Sequence, residues 1–84
     1  MRGNMTIKEA VKKRILELCT QRGITVNKLA VMSGITQSTL GNIVGGRNNS
    51  TTVSTVQKIC DGLEISIIDF FNCETFSDIE QEIK

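Results

Sequence analysis

LAVMSGITQSTLGNIVGG, residues 29–46, is the stretch whose reading decides the fold. Apolar residues at Leu29 and Ala30 end at Ser33-Gly34 and resume at Ile35. Leu40 and Ile43 follow at helical spacing before a glycine pair, Gly45-Gly46. Glycine takes the left-handed backbone that stops one helix and turns sharply into the next. Thr36, directly before the second periodic run, is a residue type that caps a helix N-terminus. The stretch therefore predicts two short helices, one entered after Thr25 and ending at Ser33-Gly34, the other running from Thr36 to about Val44. A turn of three or four residues joins them.

Working outward, Thr6-Ile7-Lys8-Glu9 is a capping-box pattern. It opens a first helix over roughly 6–22, with Ile7, Val11, Ile15, Leu18 and Cys19 along one face and Gly23 as its stop. Thr52 caps a fourth helix with Val53, Val56, Ile59, Cys60 and Leu63 on one stripe. Ser66-Ile67-Ile68-Asp69 resembles a second capping box, for a short fifth helix carrying Phe70 and Phe71. The tail NCETFSDIEQEIK is either a sixth short helix or a frayed end. No strand alternation and no internal repeat is present. The fold class is all-α, a bundle of five helices.

Eighty-four residues, 39% hydrophobic and 23% charged, make one small globular domain. With no histidine, the commonest general base and most zinc sites are excluded. No constellation of nucleophile, base and metal ligands points to an enzyme, and neither cofactor nor metal is expected. Cys19, Cys60 and Cys73 are widely spaced and form no Cys-x-x-Cys; they are read as apolar filler in a reducing compartment. There is no apolar run of membrane-spanning length, and MRGNMTIKEA lacks the apolar core of a signal peptide. The expected location is the cytoplasm, with no membrane partner.

The net charge of +1 conceals an asymmetry. Residues 1–47 carry eight cations against two carboxylates, a net of +6; residues 48–84 carry two cations against seven carboxylates, a net of −5. A basic front half fits a polyanionic partner. Lys12, Lys13 and Arg14 are read as a solvated face of the first helix.

Two short helices about a tight glycine turn form a helix-turn-helix. The major groove of B-DNA admits one helix, and the helix before it must cross the phosphates. The second helix here has Leu40 and Ile43 on its inner side and Gln37, Ser38, Gly41 and Asn42 on its outer side. The amides of Gln37 and Asn42 have the donor–acceptor pair that matches adenine N6 and N7.

ITVNKLAVMSGITQSTLGNIVGGR, followed by VQKICDGLEISIIDFF, resembles the Cro/repressor-type (XRE family) helix-turn-helix domain. The likeness covers roughly residues 8–71. It rests on Leu29-Ala30, Gly34-Ile35, Ser38-Thr39-Leu40, Gly46-Arg47 and the Ile59…Leu63…Ile65-Ser66 ending. It implies a compact five-helix lambda-repressor-like bundle with helices 2 and 3 as the helix-turn-helix. Residues 1–72 would be the DNA-binding domain and 73–84 an acidic, apolar C-terminal tail, helical or dimer-forming.

The resemblance further implies that Thr36, Gln37 and Ser38 open the recognition helix, with Gln37 the leading base reader and Asn42 a second. Thr39 lies where the family touches sugar or phosphate. Asn27 and Lys28 start the crossing helix, and Arg47, Asn48 and Asn49 in the following loop grip the backbone. The chain departs from the family at several places. Val26 stands where relatives often carry a glutamine, so that a backbone amide must meet the phosphate. Cys19 and Val44 replace a buried arginine–glutamate pair, a double exchange that strands no charge. Gly41 offers no side chain: either the duplex approaches closely there, or this face does not read bases.

The expected function is sequence-specific binding of double-stranded DNA by a small transcriptional regulator, a repressor, acting as a homodimer on a near-palindromic operator. The alternative is a protein-interaction or antitoxin-like module on the same fold, using Val26, Val31, Met32 and the apolar tail. Phe76, Ile79 and Ile83 are too many apolar residues for so small a core and are read as a dimer seam.

Overall fold

A computed structural model describes residues 5–45 and 51–79. The order is α1 (Ile7–Arg22), α2 (Val26–Ser33), α3 (Gln37–Val44), α4 (Val53–Leu63), α5 (Ile67–Phe71) and a 3-10 helix over Glu74–Asp78. No strand occurs among the described residues; a lone parallel bridge joins Met5 and Ile79.

Every α-helix begins on a hydroxyl. Thr6, Thr25, Thr36, Thr52 and Ser66 each hold extended backbone and accept the N–H three residues on. Each satisfies one of the amides a helix start leaves unpaired. At α1 the box is reciprocal: Glu9 Oε1 accepts from the Thr6 amide at 2.9 Å and Thr6 Oγ1 from the Glu9 amide at 3.2 Å. That hydrogen bond to the Thr6 amide holds the Glu9 carboxyl below its ordinary value. At Ser66 only the forward half of the pattern forms.

Three helix ends share one device. Gly23, Gly34 and Glu64 all adopt the left-handed conformation, and the residue after each is an isoleucine. The amides of Ile24, Ile35 and Ile65 close back onto Cys19, Ala30 and Cys60 oxygens at 3.0–3.1 Å. The three isoleucines pack against the core, which is the hydrophobic contact that accompanies such an ending. A capping hydroxyl comes next, so Gly23-Ile24-Thr25, Gly34-Ile35-Thr36 and Glu64-Ile65-Ser66 each stop one helix, anchor the turn and start another. At Gly45, which follows α3, the backbone is right-handed instead (φ −83°), and Gly46 lies outside the described residues.

The core is one cluster drawn from α1 to α5, with Ile15, Leu29, Leu40, Ile59, Cys60, Leu63 and Phe70 fully buried. Burial pushes the Cys19 and Cys60 thiols up, which keeps them protonated as small apolar side chains. Two further contacts join helices far apart in sequence. Gly62 of α4 lies so close to α2 that a Cβ there would stand 2.7 Å from Ser33 Oγ and 2.9 Å from Met32 O. Arg14 of α1 reaches the end of α5: its Nε donates to Phe70 O at 2.7 Å and its Nη2 to Asp69 O at 2.8 Å. This corrects the reading of Arg14 as a solvated cation. Its guanidinium is a fork matched to two adjacent carbonyls in the last turn of α5, Phe70 O and Asp69 O, the second of which also accepts the Asn72 amide at 3.3 Å.

The residues after α5 fold back on the body. Phe76 makes edge contacts with Phe71 (centroids 4.8 Å apart) and a tilted one with Phe70 (6.1 Å). Phe76 is half-buried against the core and Ile79 half-buried, while Ile83 lies outside the described residues.

Candidate nucleic-acid interface

The α2–turn–α3 unit is built inward from two apolar anchors. Leu40 is fully buried and Ile43 nearly so. Gln37, Ser38, Thr39 and Gly41 lie away from that side of the helix, in solvent. None of these is covered by the protein's own described chain. Asn42 is half-buried, at the border between the inner and outer flanks. Gln37, Ser38 and Gly41 share one flank, being three and four residues apart.

The start of α3 is chemically ordered. Thr36 Oγ1 accepts from the Thr39 amide at 3.0 Å and donates to Thr39 Oγ1 at 2.7 Å. Thr36 is thereby committed to capping. Thr39 Oγ1 receives that proton, so its own O–H remains available to an outside acceptor such as a phosphate oxygen.

At α2, the Thr25 hydroxyl takes the Lys28 amide at 3.0 Å. The Val26 and Asn27 amides are the ones a helix start leaves without an intrahelical partner, at the positive end of its dipole. Asn27 and Lys28 are exposed beside them. The Val26 side chain turns the other way, half-buried against the core. This corrects its place in an outward contact surface and leaves its backbone as the polar group. Arg47, Asn48 and Asn49 lie outside the described residues.

No charged residue occurs from Gly34 to Gly45. The exposed flank of α3 is thus neutral, made of amide and hydroxyl groups, with Lys28 as its nearest cation in sequence on the N-terminal side. Hydrogen-bonding side chains of this kind discriminate base edges, whereas flanking cations supply attraction regardless of sequence. Among the described residues there is no group of three or more His, Cys, Asp or Glu that can hold a metal. No helix among them is long and apolar enough to cross a membrane.

A short helix seated on the core by Leu29 and Ala30, a glycine turn and a second helix with a neutral exposed flank define a helix-turn-helix domain. Residues 14–75 match the model of the Cro/C1-type HTH DNA-binding domain, and the chain belongs to that family. The family is one of DNA-binding regulators and not an enzyme class, and DNA is the partner it implies. Over 63 residues the chain is 35% identical to the HTH-type transcriptional regulator SlrR of Bacillus subtilis (strain 168). That stretch is 74% of this chain and 41% of SlrR, so the chain spans about two fifths of the length of the curated relative it matches. The crystal structure of the prophage Lp1 protein 11 superposes with a TM-score of 0.77 at 35% identity, over 89% of this chain and 99% of that one.

Proposed function

We propose that this protein is a sequence-specific regulator that lays α3 in the major groove of double-stranded DNA. The observation that carries the reading is the solvent-open flank of α3, with Gln37 presented on it while Leu40 and Ile43 anchor the opposite side. Gln37 reads adenine through its amide and Asn42 adds a second amide one turn on. Ser38 supports them, and Thr36 fixes the helix start. Thr39, Asn27 and Lys28, with Arg47, Asn48 and Asn49 beyond α3, hold the phosphates. One helix reads too few bases for useful specificity. The protein therefore acts as a homodimer with two α3 helices about 34 Å apart on a near-palindrome. It works in the cytoplasm, and occupancy of the operator makes it a repressor.

A second reading has its own support: Val31, on the outer side of α2, is 65% exposed beside the half-exposed Met32. A protein-interaction or antitoxin-like module would cover these two residues with a partner.

Titration of fluorescent random duplex at rising salt separates the two. Binding that weakens steeply with salt supports the first reading; no binding at low salt refutes it. Gln37→Ala then loses about 1–3 kcal/mol on a duplex enriched from a random pool and little on random DNA. Equal losses on both remove Gln37 as a base reader.

A further inference from the structure

Among the described glycines, Gly41 alone has no reason within the protein. Gly23 and Gly34 hold positive φ, which disfavours any side chain. Gly45 and Gly62 have backbone oxygens within 3 Å of where a Cβ would stand. At Gly41 the backbone is ordinary helix, and a Cβ would meet nothing within 4 Å. Alanine would be accommodated there and would improve the helix. An exposed mid-helix position that forgoes this gain is explained by something outside the chain that needs the space.

The position names the occupant. Gly41 lies on the flank of Gln37 and Ser38, one turn beyond them. From the open space at Gly41, together with that placement, we infer that Gly41 is the close-approach point of the recognition helix, where its backbone rests against base-pair edges on the major-groove floor. It is a positioning residue for specificity. A Cβ stands about 1.5 Å from Cα, so a methyl group here lifts the helix by a comparable distance. Hydrogen bonds from Gln37 to a base need about 2.7–3.2 Å and do not survive that displacement. Phosphate contacts through flexible cations do.

This inference rests on the DNA-binding reading above, and the test keeps their failures apart. Wild-type protein is used to enrich a duplex from a randomised pool, and the enriched and random duplexes serve as probes for wild type, Gly41→Ala and Gln37→Ala. Gly41→Ala is expected to melt about 2–8 °C higher, to bind the enriched duplex about ten- to a hundredfold more weakly, and to bind random duplex within about twofold of wild type. Gly41→Gln loses at least as much on the enriched duplex. The inference is overturned if Gly41→Ala binds the enriched duplex as tightly as wild type, if its loss is equal on random duplex, or if it melts lower. If Gln37→Ala loses selectivity while Gly41→Ala does not, only the close approach fails. If the pool yields no enriched duplex, the DNA reading and this inference fall together.

Discussion

Replacing Gly62 by alanine tests the contact that sets α4 against α2, and the outcome can be worked from distances. The added Cβ would stand 2.7 Å from Ser33 Oγ, 2.9 Å from Met32 O and 3.0 Å from Met32 C, where ordinary contact begins at 3.4 Å. The hydroxyl sits on a small side chain that can rotate. The Met32 carbonyl is main chain of α2, so the two helices must part by about half an ångström. That separation falls on Leu29, Ala30, Ile59, Cys60 and Leu63, none of which has any exposed surface. Overpacking of this kind costs about 1–3 kcal/mol, and the better helix propensity of alanine offsets about 0.5–1 kcal/mol of it. A net loss of up to about 2.5 kcal/mol remains. Thermal unfolding followed by circular dichroism reads it directly, since a domain of this size shifts by roughly 4–8 °C per kcal/mol. Adding Ser33→Ala removes one of the short contacts, together with a buried hydroxyl that lacks a hydrogen-bond partner; the double variant recovers part of the loss, and the Met32 carbonyl keeps the rest. A Gly62→Ala protein more stable than wild type, or a double variant that recovers none of the loss, would refute the reasoning.

Arg14→Met is expected to lose about 1.5–3 kcal/mol, the worth of one charge-assisted hydrogen bond, because water can replace the more exposed of its two carbonyl contacts. Arg14→Lys restores only part, since an ammonium cannot fork; full rescue in denaturant titrations would show that the two-pronged geometry is irrelevant. Glu64→Gly is expected to gain up to about 1 kcal/mol, because φ of 60° strains a side-chain-bearing residue by more than the glycine adds in chain entropy; a lower melting temperature contradicts this. The Glu9 carboxyl titrates below its ordinary 4.5, so its stabilisation is present above that value and is lost as pH falls through the lowered native value. Glu9→Ala therefore melts lower than wild type at neutral pH, and the gap closes in acid; a gap that persists at low pH assigns the effect to something other than the carboxylate.

The five helix starts were legible because capping is local: a hydroxyl and an amide three residues on fix the geometry whatever lies elsewhere. Gly23-Ile24-Thr25 and Gly34-Ile35-Thr36 were legible for the same reason. Glu64-Ile65-Ser66 performs the same turn but carries no glycine, and the residue that forces it, Ile65, acts only once the core exists to receive it. Arg14 and Gly62 were misread or silent because their reasons lie far along the chain. The carbonyls that Arg14 reaches are 55 and 56 residues away. Gly62 resembles a flaw in α4 until α2 is laid against it. At the site, the outward placement of Gln37, Ser38 and Gly41 followed from helical spacing, whereas Asn42, read the same way, is half-buried and Thr39 entered only through the family resemblance. The division of labour between the Thr36 and Thr39 hydroxyls did not follow, because spacing does not say which oxygen donates.

The way α3 is held bears on the proposed reading of DNA. Among the described side chains, its hydrogen bonds stay within its own cap, between Thr36 and Thr39. Its attachment to the body is the burial of Leu40 and Ile43, each worth about 1.5–3 kcal/mol and indifferent to ionic strength. Phosphate attraction, in contrast, is screened and falls steeply as salt rises. Where the family resemblance places a buried arginine–glutamate pair, this chain has Cys19, which is buried, and Val44, which packs half-buried against the core. Salt therefore changes how tightly the protein holds DNA without changing the angle at which Gln37 is presented. Discrimination between the enriched and the random duplex should stay nearly constant across a salt range over which both affinities drop by orders of magnitude. A reading helix held by ion pairs would instead lose selectivity along with affinity, because the same ions that screen the phosphates would loosen its seat.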